Sequence, residues 1–136
     1  MSFEVALSAR ILADVPLADE LDERVDWMRR PGSVLPAFTL QTVSDPRPQH
    51  LKGFHPTRPT SVQLDVWAAD LATAIRLRER AIVVLVAPAR VEGVQFQRAM
   101  ITNVRPGFES EEAGTDQQPR GELYRESIDF TFTHDA

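Results

Sequence analysis

The sequence contains no cysteine, which excludes disulfide bonds and thiolate metal sites. This composition fits a reducing compartment without requiring one. A long apolar run is also absent: the longest, residues 81–89, is about half of the roughly 20 residues that cross a membrane. The first residues, MSFEVALSAR, have no basic stretch ahead of an apolar core, so we expect neither a signal peptide nor a membrane partner.

Excess positive charge is absent as well. The 136 residues carry a net charge of −5 and have a pI near 5.2. Phosphate binding needs a basic surface, so a broad nucleic-acid interface is disfavoured. With 43 % hydrophobic and 26 % charged residues, the composition is that of an ordinary globular protein, and the length predicts one domain, residues 1–136.

Recognisable catalytic motifs are missing. The six glycines are scattered, so there is no phosphate-binding loop, and neither a GxSxG sequence nor a cysteine nucleophile occurs. The histidines His50, His55 and His134 have no cysteine or evident carboxylate partner that would complete a zinc site. We therefore expect a protein that is not an enzyme and that has no cofactor or bound metal.

Residues 60–86 carry the clearest structural pattern. Val62, Leu64 and Val66 alternate with polar residues, which predicts a strand with one buried face. The period then becomes helical, with one apolar stripe formed by Leu71, Ala74, Ile75, Ala81, Ile82, Leu85 and Val86. Asp70 is the expected N-cap, and the helix is expected to end before Pro88.

The N-terminal half predicts a helix over residues 2–13, capped by Ser2. Residues 14–26 are acidic and form either a metal or acid–base cluster or a solvated connector with a short helical turn. The connector is favoured because no ligand spacing recurs. A short edge strand at 25–29 and a strand at 35–44, separated by Pro31-Gly32, predict a β-hairpin.

The C-terminal half predicts a loop at 87–93 and a strand at 94–105, then a turn at Pro106-Gly107. A polar, acidic segment at 109–121 precedes a final strand with Tyr124, Ile128, Phe130 and Phe132 on one face. Together these elements predict an α+β fold: an antiparallel sheet of about five strands with two α-helices packed on one face.

The stretch at 45–59 breaks every period and contains four prolines. It is locally basic within an acidic protein, and its aromatic residue has no periodic partner. It is either a surface loop with one aromatic side chain tucked in, or a loop that contacts a partner through that side chain. The candidate contact residues here are Arg47, His50, Lys52 and Phe54.

Two residues of the central stretch do not fit a two-layer pattern. Arg78 lies within the apolar stripe of the helix. Either its stem packs there while its charge reaches solvent or pairs with a carboxylate of the sheet, or this part of the helix faces another subunit. Trp67 lies on the strand face opposite Val66, where it either packs under a loop or forms a partner surface.

The chain resembles the tail completion or tail terminator proteins of long-tailed bacteriophages and gene transfer agents. The resemblance covers about residues 3–133 and rests on four stretches in the right order: LPAFTLQTVSD, VQLDVWA, DLATAIRLRERAIVVL and LYRESIDFTF. The DVWA step and the YR-S-DF ending are the most telling. Many relatives have a short link where this chain has its proline-rich loop.

The resemblance implies a structural virion protein that forms a ring, commonly a hexamer. Such a ring terminates the tail tube, joins it to the connector of the head and leaves a channel for DNA. The implied partners are further copies of the chain, the tail tube protein, the head–tail connector (adaptor or stopper) proteins and DNA in transit. The implied location is the head–tail junction of a virion or virus-like particle assembled in the bacterial cytoplasm. The alternative is a small dimeric α+β enzyme or ligand-binding module.

Overall fold

A computed structural model describes residues 2–110 and 122–135. Most of the acidic segment predicted at 109–121 therefore lies outside the described residues. Within them the chain forms three helices, which are α1 (Phe3–Ala13), α2 (Val15–Leu21) and α3 (Leu71–Val86). It also forms nine strands, which are β1 (Val25–Trp27), β2 (Ala37–Ser44), β3 (Gln49–His50), β4 (Gly53–Phe54), β5 (Thr57–Ala68), β6 (Ala89–Val91), β7 (Val94–Phe96), β8 (Met100–Ser110) and β9 (Glu122–Asp135).

Two long antiparallel strands form the centre of the sheet. β5 pairs with β9 without interruption from Thr57 opposite Asp135 to Ala68 opposite Tyr124. The alternation predicted for both strands is confirmed: the side chains on one shared face are buried, among them Val62, Leu64, Val66, Ile128, Phe130 and Phe132. All three helices contribute side chains to the core that covers this face.

The helix boundaries follow from capping. The Ser2 hydroxyl accepts a hydrogen bond from the Val5 N–H at 3.2 Å, and the Asp70 carboxylate accepts one from the Thr73 N–H at 2.8 Å. Both N-caps were predicted, because these short side chains satisfy N–H groups that have no partner within the helix. α3 ends at Val86, ahead of Pro88, as expected.

The buried face of α3 is rotated relative to the predicted stripe. Leu77, which was outside that stripe, is buried, whereas Leu71 and Ile75 are 48 % and 36 % exposed. The sheet decides this orientation, because α3 crosses β5 and β9 and packs against them through the row that includes Ala74, Leu77 and Ala81.

The predicted hairpin at 25–44 is wrong. β1 and β2 are parallel, with Val25 opposite Phe38 and Trp27 opposite Leu40. The chain between them returns to the end of the sheet at which β1 starts, where the Arg24 guanidinium donates to the Pro36 carbonyl at 2.8 Å. Pro31-Gly32 lies in this return and does not join two adjacent strand ends.

The sheet is larger than predicted. The described residues form a seven-stranded sheet in the order β1-β2-β5-β9-β7-β6, with β8 also paired to β9, whereas about five strands were expected. Residues 89–91, predicted as part of a loop, form β6 and pair with β7. The broad α+β class is confirmed, with three helices in place of two.

The predicted strand at 94–105 is divided in two. β7 and β8 occupy successive parts of the same edge of β9, and the chain changes face between them, so Val94 and Phe96 are buried whereas Met100 and Val104 are exposed. The predicted turn at Pro106-Gly107 is also wrong. β8 continues through it to Ser110, because an edge strand has one side without ladder hydrogen bonds and there tolerates a proline.

The difference between Leu77 and Ile75 is testable. Leu77→Ala removes a side chain that is 2 % exposed, and we expect it to lower the free energy of unfolding by about 2–5 kcal/mol. The matched Ile75→Ala change, about half a turn away and partly exposed, is expected to cost less than about 1 kcal/mol. Urea unfolding followed by circular dichroism measures both, and equal losses would contradict the observed orientation of α3.

Candidate functional site

The proline-rich stretch is ordered around one carboxylate. Asp45 accepts hydrogen bonds from the Arg47 guanidinium at 2.7 Å, from the Arg58 guanidinium at 3.0 Å and from the Thr60 hydroxyl at 3.0 Å. Burial alone would raise the pKa of Asp45, but the Arg47 and Thr60 hydrogen bonds and the two positive charges outweigh it, so that the pKa lies below its usual value. This carboxylate therefore holds both ends of the stretch together.

Between those ends the chain forms a small hairpin from β3 and β4. Gln49 lies opposite Phe54, and the His55 N–H donates to the Pro48 carbonyl at 2.9 Å. The predicted loop at 45–59 is thus partly a hairpin, and Thr57–Pro59 belongs to the long strand β5. The hairpin projects Leu51, which is fully exposed, and Phe54, which is 64 % exposed, so the interpretation that Phe54 is tucked in is wrong.

A cleft of about 360 Å³ lies at the base of this hairpin. We call it the loop cleft, and its lining residues are Arg47, Pro48, Phe54, His55, Pro56 and Arg58. Its walls combine two guanidinium groups with an aromatic ring and two rigid prolines. The arrangement suits an acidic segment, since the positive charges attract carboxylates and the ring adds an apolar contact.

His134 links the hairpin to the core. Its ring is buried, stacks on Phe3 with centroids 4.2 Å apart, and lies 2.8 Å from the Thr60 hydroxyl through Nε2. Burial lowers the pKa of His134, which favours the neutral ring. The Nδ1 atom lies 2.8 Å from the Asp135 carbonyl oxygen, so both ring nitrogens have a polar neighbour, while the Thr60 hydroxyl donates its one proton to Asp45.

Arg78 and Trp67, which did not fit the two-layer pattern, both have interaction partners within the chain. Arg78 lies 3.3 Å from the carboxylate of Glu126, which is 3 % exposed on the helix-facing side of β9. This is the sheet-carboxylate pairing that was one of the two interpretations of Arg78. A role for Arg78 in contact with another chain stays a prediction.

Trp67 lies on the outer face of the sheet, as expected, and is half-buried. Its indole N–H donates to the Thr39 hydroxyl at 2.9 Å. The guanidinium groups of Arg30 and Arg125 lie 4.9 Å and 5.5 Å from its ring centre. These contacts place Trp67 in a cation–π cluster of its own chain. Its role as a partner surface also stays a prediction.

Three of the acidic residues at 14–26 form ion pairs, namely Asp14 with Arg80, Glu20 with Arg76 and Asp22 with Arg24. Asp14 caps α2 at the Leu17 N–H and binds the Arg80 guanidinium at 2.6 Å and 2.9 Å. The hydrogen bond from Arg80 is the main reason why the pKa of Asp14 lies below its usual value. Among the described residues, no three acidic or histidine side chains are grouped closely enough to hold a metal ion.

A second exposed apolar area lies at the opposite end of the sheet. There β8 and β9 run together past the end of β5, and Phe108, which is 57 % exposed, lies 5.2 Å from Tyr124 between ring centres. Leu71 at the start of α3 lies beside them, with Pro106. Sequence reasoning missed this area because the expected turn at Pro106-Gly107 separated Phe108 from Tyr124. The sequence did contain a signal for this area, since an aromatic residue lies near each end of the acidic segment, Phe108 before it and Tyr124 after it.

The comparisons with known proteins give a likeness in fold to solved structures and no sequence family. No family model matches the sequence, and no curated protein matches it. A chain in the solved virion of a native gene transfer agent (GTA) particle has a similar fold, with a TM-score of 0.69 and 15 % sequence identity. The likeness covers 99 % of this chain and 96 % of that chain, so it extends over the whole domain.

Among the described helices, none has the length and apolarity needed to cross a membrane.

The ion pair between Arg78 and Glu126 is expected to stabilise the fold of the single chain, independently of any contact with another subunit. Arg78→Met leaves the Glu126 carboxylate buried without its cation, and we expect a loss of about 3 kcal/mol in the free energy of unfolding. Adding Glu126→Gln removes the uncompensated charge and is expected to recover part of that loss. The control Arg76→Met breaks a pair at the surface with Glu20 and should cost less than about 1 kcal/mol. Equal losses in the free energy of unfolding from Arg78→Met and Arg76→Met would show that the buried pair stabilises the fold no more than the surface pair does.

The buried His134 gives the stability a defined pH dependence. Its folded pKa is depressed, so the unfolded chain binds more protons as the pH falls below the ordinary histidine value of about 6.5. The contribution of His134 is therefore fully present above that pH and is lost as the pH falls towards the folded value. Urea titrations between about pH 7 and about pH 5.5 should show a decline that His134→Gln flattens. Parallel pH profiles for the two proteins would refute this assignment.

Proposed function

We propose that this chain is a structural virion protein of a phage or gene transfer agent. More narrowly, we propose that it is the tail terminator that forms a ring, which is a hexamer in the proteins it resembles, and joins the tail tube to the head connector. The observation that carries the proposal is the likeness in fold over 99 % of this chain to a chain of a gene transfer agent virion. Because the whole domain is shared, the likeness is not limited to a common substructure.

The distribution of exposed apolar side chains supports a ring subunit. A closed ring needs two different surfaces on each chain that fit each other. Phe54 and Leu51 are exposed at one end of the β5–β9 ladder, and Phe108 and Leu71 are exposed at the other. Exposed apolar groups at two separate places are typical of a chain that is completed by neighbours.

The remaining partners follow from the same proposal. Copies of the chain contact each other, the tail tube protein lies on one side of the ring and the connector proteins lie on the other. The candidate contacts with these partners are the hairpin residues Arg47, His50, Lys52 and Phe54, with Trp67 and Arg78 as further candidates. DNA only passes through the channel, and a net charge of −5 suits a conduit that does not retain it.

The loop cleft is the one observation that favours the alternative, a ligand-binding module. Its volume of about 360 Å³ falls within the range of small-molecule sites. Both of its arginines, however, are already paired with Asp45. A cleft in which both cations are paired in this way is a better docking surface for a flexible partner segment than a catalytic centre.

The hairpin can be removed without opening the fold. Because His55 donates to the Pro48 carbonyl, the ends of 49–54 are adjacent, and two glycines can replace these six residues. We expect the variant to fold with an unchanged circular dichroism spectrum. In cells in which it replaces the natural chain, electron microscopy should show unjoined heads and tails of irregular length. Normal particles from this variant would show that the hairpin makes no essential contact.

Two controls complete this experiment. Replacing the Glu92-Gly93 turn of the β6–β7 hairpin by Asn-Gly suits the positive φ angles at both positions, and these particles should be normal. Cells that lack the chain altogether should reproduce the defect of the hairpin variant. Normal, joined particles in the absence of the chain would refute the proposed function.

A further inference from the structure

The β5–β9 ladder separates two chemically different ends of the molecule. Thr57 to Ala68 spans eleven residue steps, which at the usual rise corresponds to about 36 Å. The loop cleft and the β3–β4 hairpin lie at the Thr57 end. The paired strands β8 and β9, with Phe108 and Tyr124, lie at and beyond the Ala68 end.

The hairpin end is basic. Within 45–58 the sequence has Arg47, Lys52 and Arg58 against the single acid Asp45, together with two histidines. Arg47 and Lys52 are exposed, and so are the apolar side chains of Leu51 and Phe54 beside them. This combination attracts an acidic segment and provides apolar contacts that hold it.

The opposite end leads directly into an acidic segment. Ser110 and Glu122 are the last paired residues of β8 and β9, and residues 111–121 connect them. This segment has the sequence EEAGTDQQPRG, which contains three acidic residues, Glu111, Glu112 and Asp116, and one basic residue, Arg120. It follows Phe108 closely in sequence, so an aromatic ring precedes the acids. The net charge of this segment is therefore negative, opposite to that of the hairpin end.

The segment cannot reach the loop cleft of its own chain. Its eleven residues are anchored at both ends to paired positions, so it extends at most about half of its contour, roughly 20 Å. The cleft lies about 36 Å back along the ladder, in the opposite direction. The acidic segment and the basic cleft can therefore attract each other in direct contact only when they belong to two different copies of the chain.

We propose that residues 111–121 of one copy dock in the loop cleft of a second copy and join the chains head to tail. The carboxylates contact Arg47 in the cleft and Lys52 in the turn of the adjoining hairpin, and Phe54 provides an apolar contact. Such a contact is heterologous, and its repetition either closes a ring or forms an open chain. The inference names the subunit contact within the proposed ring, and in that respect it rests on the proposed function.

The absence of cysteine makes this contact testable by disulfide cross-linking. Two variants are made with different affinity tags, Leu51→Cys at the exposed tip of the hairpin and Ala113→Cys within the acidic segment. Mixing them under mild oxidation should produce a heterodimer that carries both tags. The matched control mixes Ala113→Cys with Met28→Cys, which is also well exposed but lies away from the hairpin, and should give at least tenfold less heterodimer.

Negative-stain imaging and mass measurement of the cysteine-free chain accompany the cross-linking. Heterodimer above the control supports the inference, with or without visible rings. Rings without heterodimer above the control would overturn the inference and leave the proposed function standing. Neither rings nor heterodimer would overturn the inference as well, and the particle-assembly experiment would then decide the proposed function independently.

A charge exchange provides a second readout. Lys52→Glu, which leaves the Asp45 ion pairs intact, should weaken the association measured by sedimentation, and Glu111→Lys with Glu112→Lys should do the same. Mixing the two variants should restore association, because opposite charges again face each other across the contact. The control Arg29→Glu changes one exposed charge elsewhere and should leave association unchanged. Failure of the mixture to restore association would overturn the proposed contact.

Discussion

The uninterrupted pairing of β5 with β9 is the constraint on which the rest of the structure depends. One face of this ladder presents a row of aliphatic and aromatic side chains that water disfavours, and the three helices cover it. The edges of the ladder accept every other strand of the main sheet: β2 and then β1 on one side, β8 and the β7–β6 pair on the other. A break in the ladder would therefore remove both the core and the attachment sites of the edge strands.

The length of the same ladder gives the molecule two distinct ends. At one end His134, Thr60 and Asp45 connect the core to the proline-rich hairpin through hydrogen bonds and the Arg58 ion pair. Nearer the other end, the ion pair of Arg78 with Glu126 joins α3 to β9. Polar contacts thus supplement the apolar core towards both ends of the ladder. Each end retains exposed apolar side chains, which suits a chain that assembles with others.

The sequence could predict those features that depend on neighbouring residues. Alternation predicted β5 and β9, since a period of two leaves one face apolar whatever the partner strand is. Ser2 and Asp70 predicted the starts of α1 and α3, because a cap acts within its own helix. The prolines and the lack of any period predicted a surface loop at 45–59, although not the small hairpin within it. The resemblance to tail terminator proteins rested on the same strands and helix, in the same order.

Only the tertiary structure decided the features that depend on distant residues. The parallel pairing of β1 with β2, the passage of β8 through Pro106 and the change of face between β7 and β8 are set by which strand edge is free. The burial of Leu77 instead of Ile75 depends on how α3 lies across β5 and β9. The pairing of Phe108 with Tyr124 joins residues on two strands separated by the acidic segment. In each case the local sequence permits more than one arrangement, and burial against a partner far along the chain selects one of them.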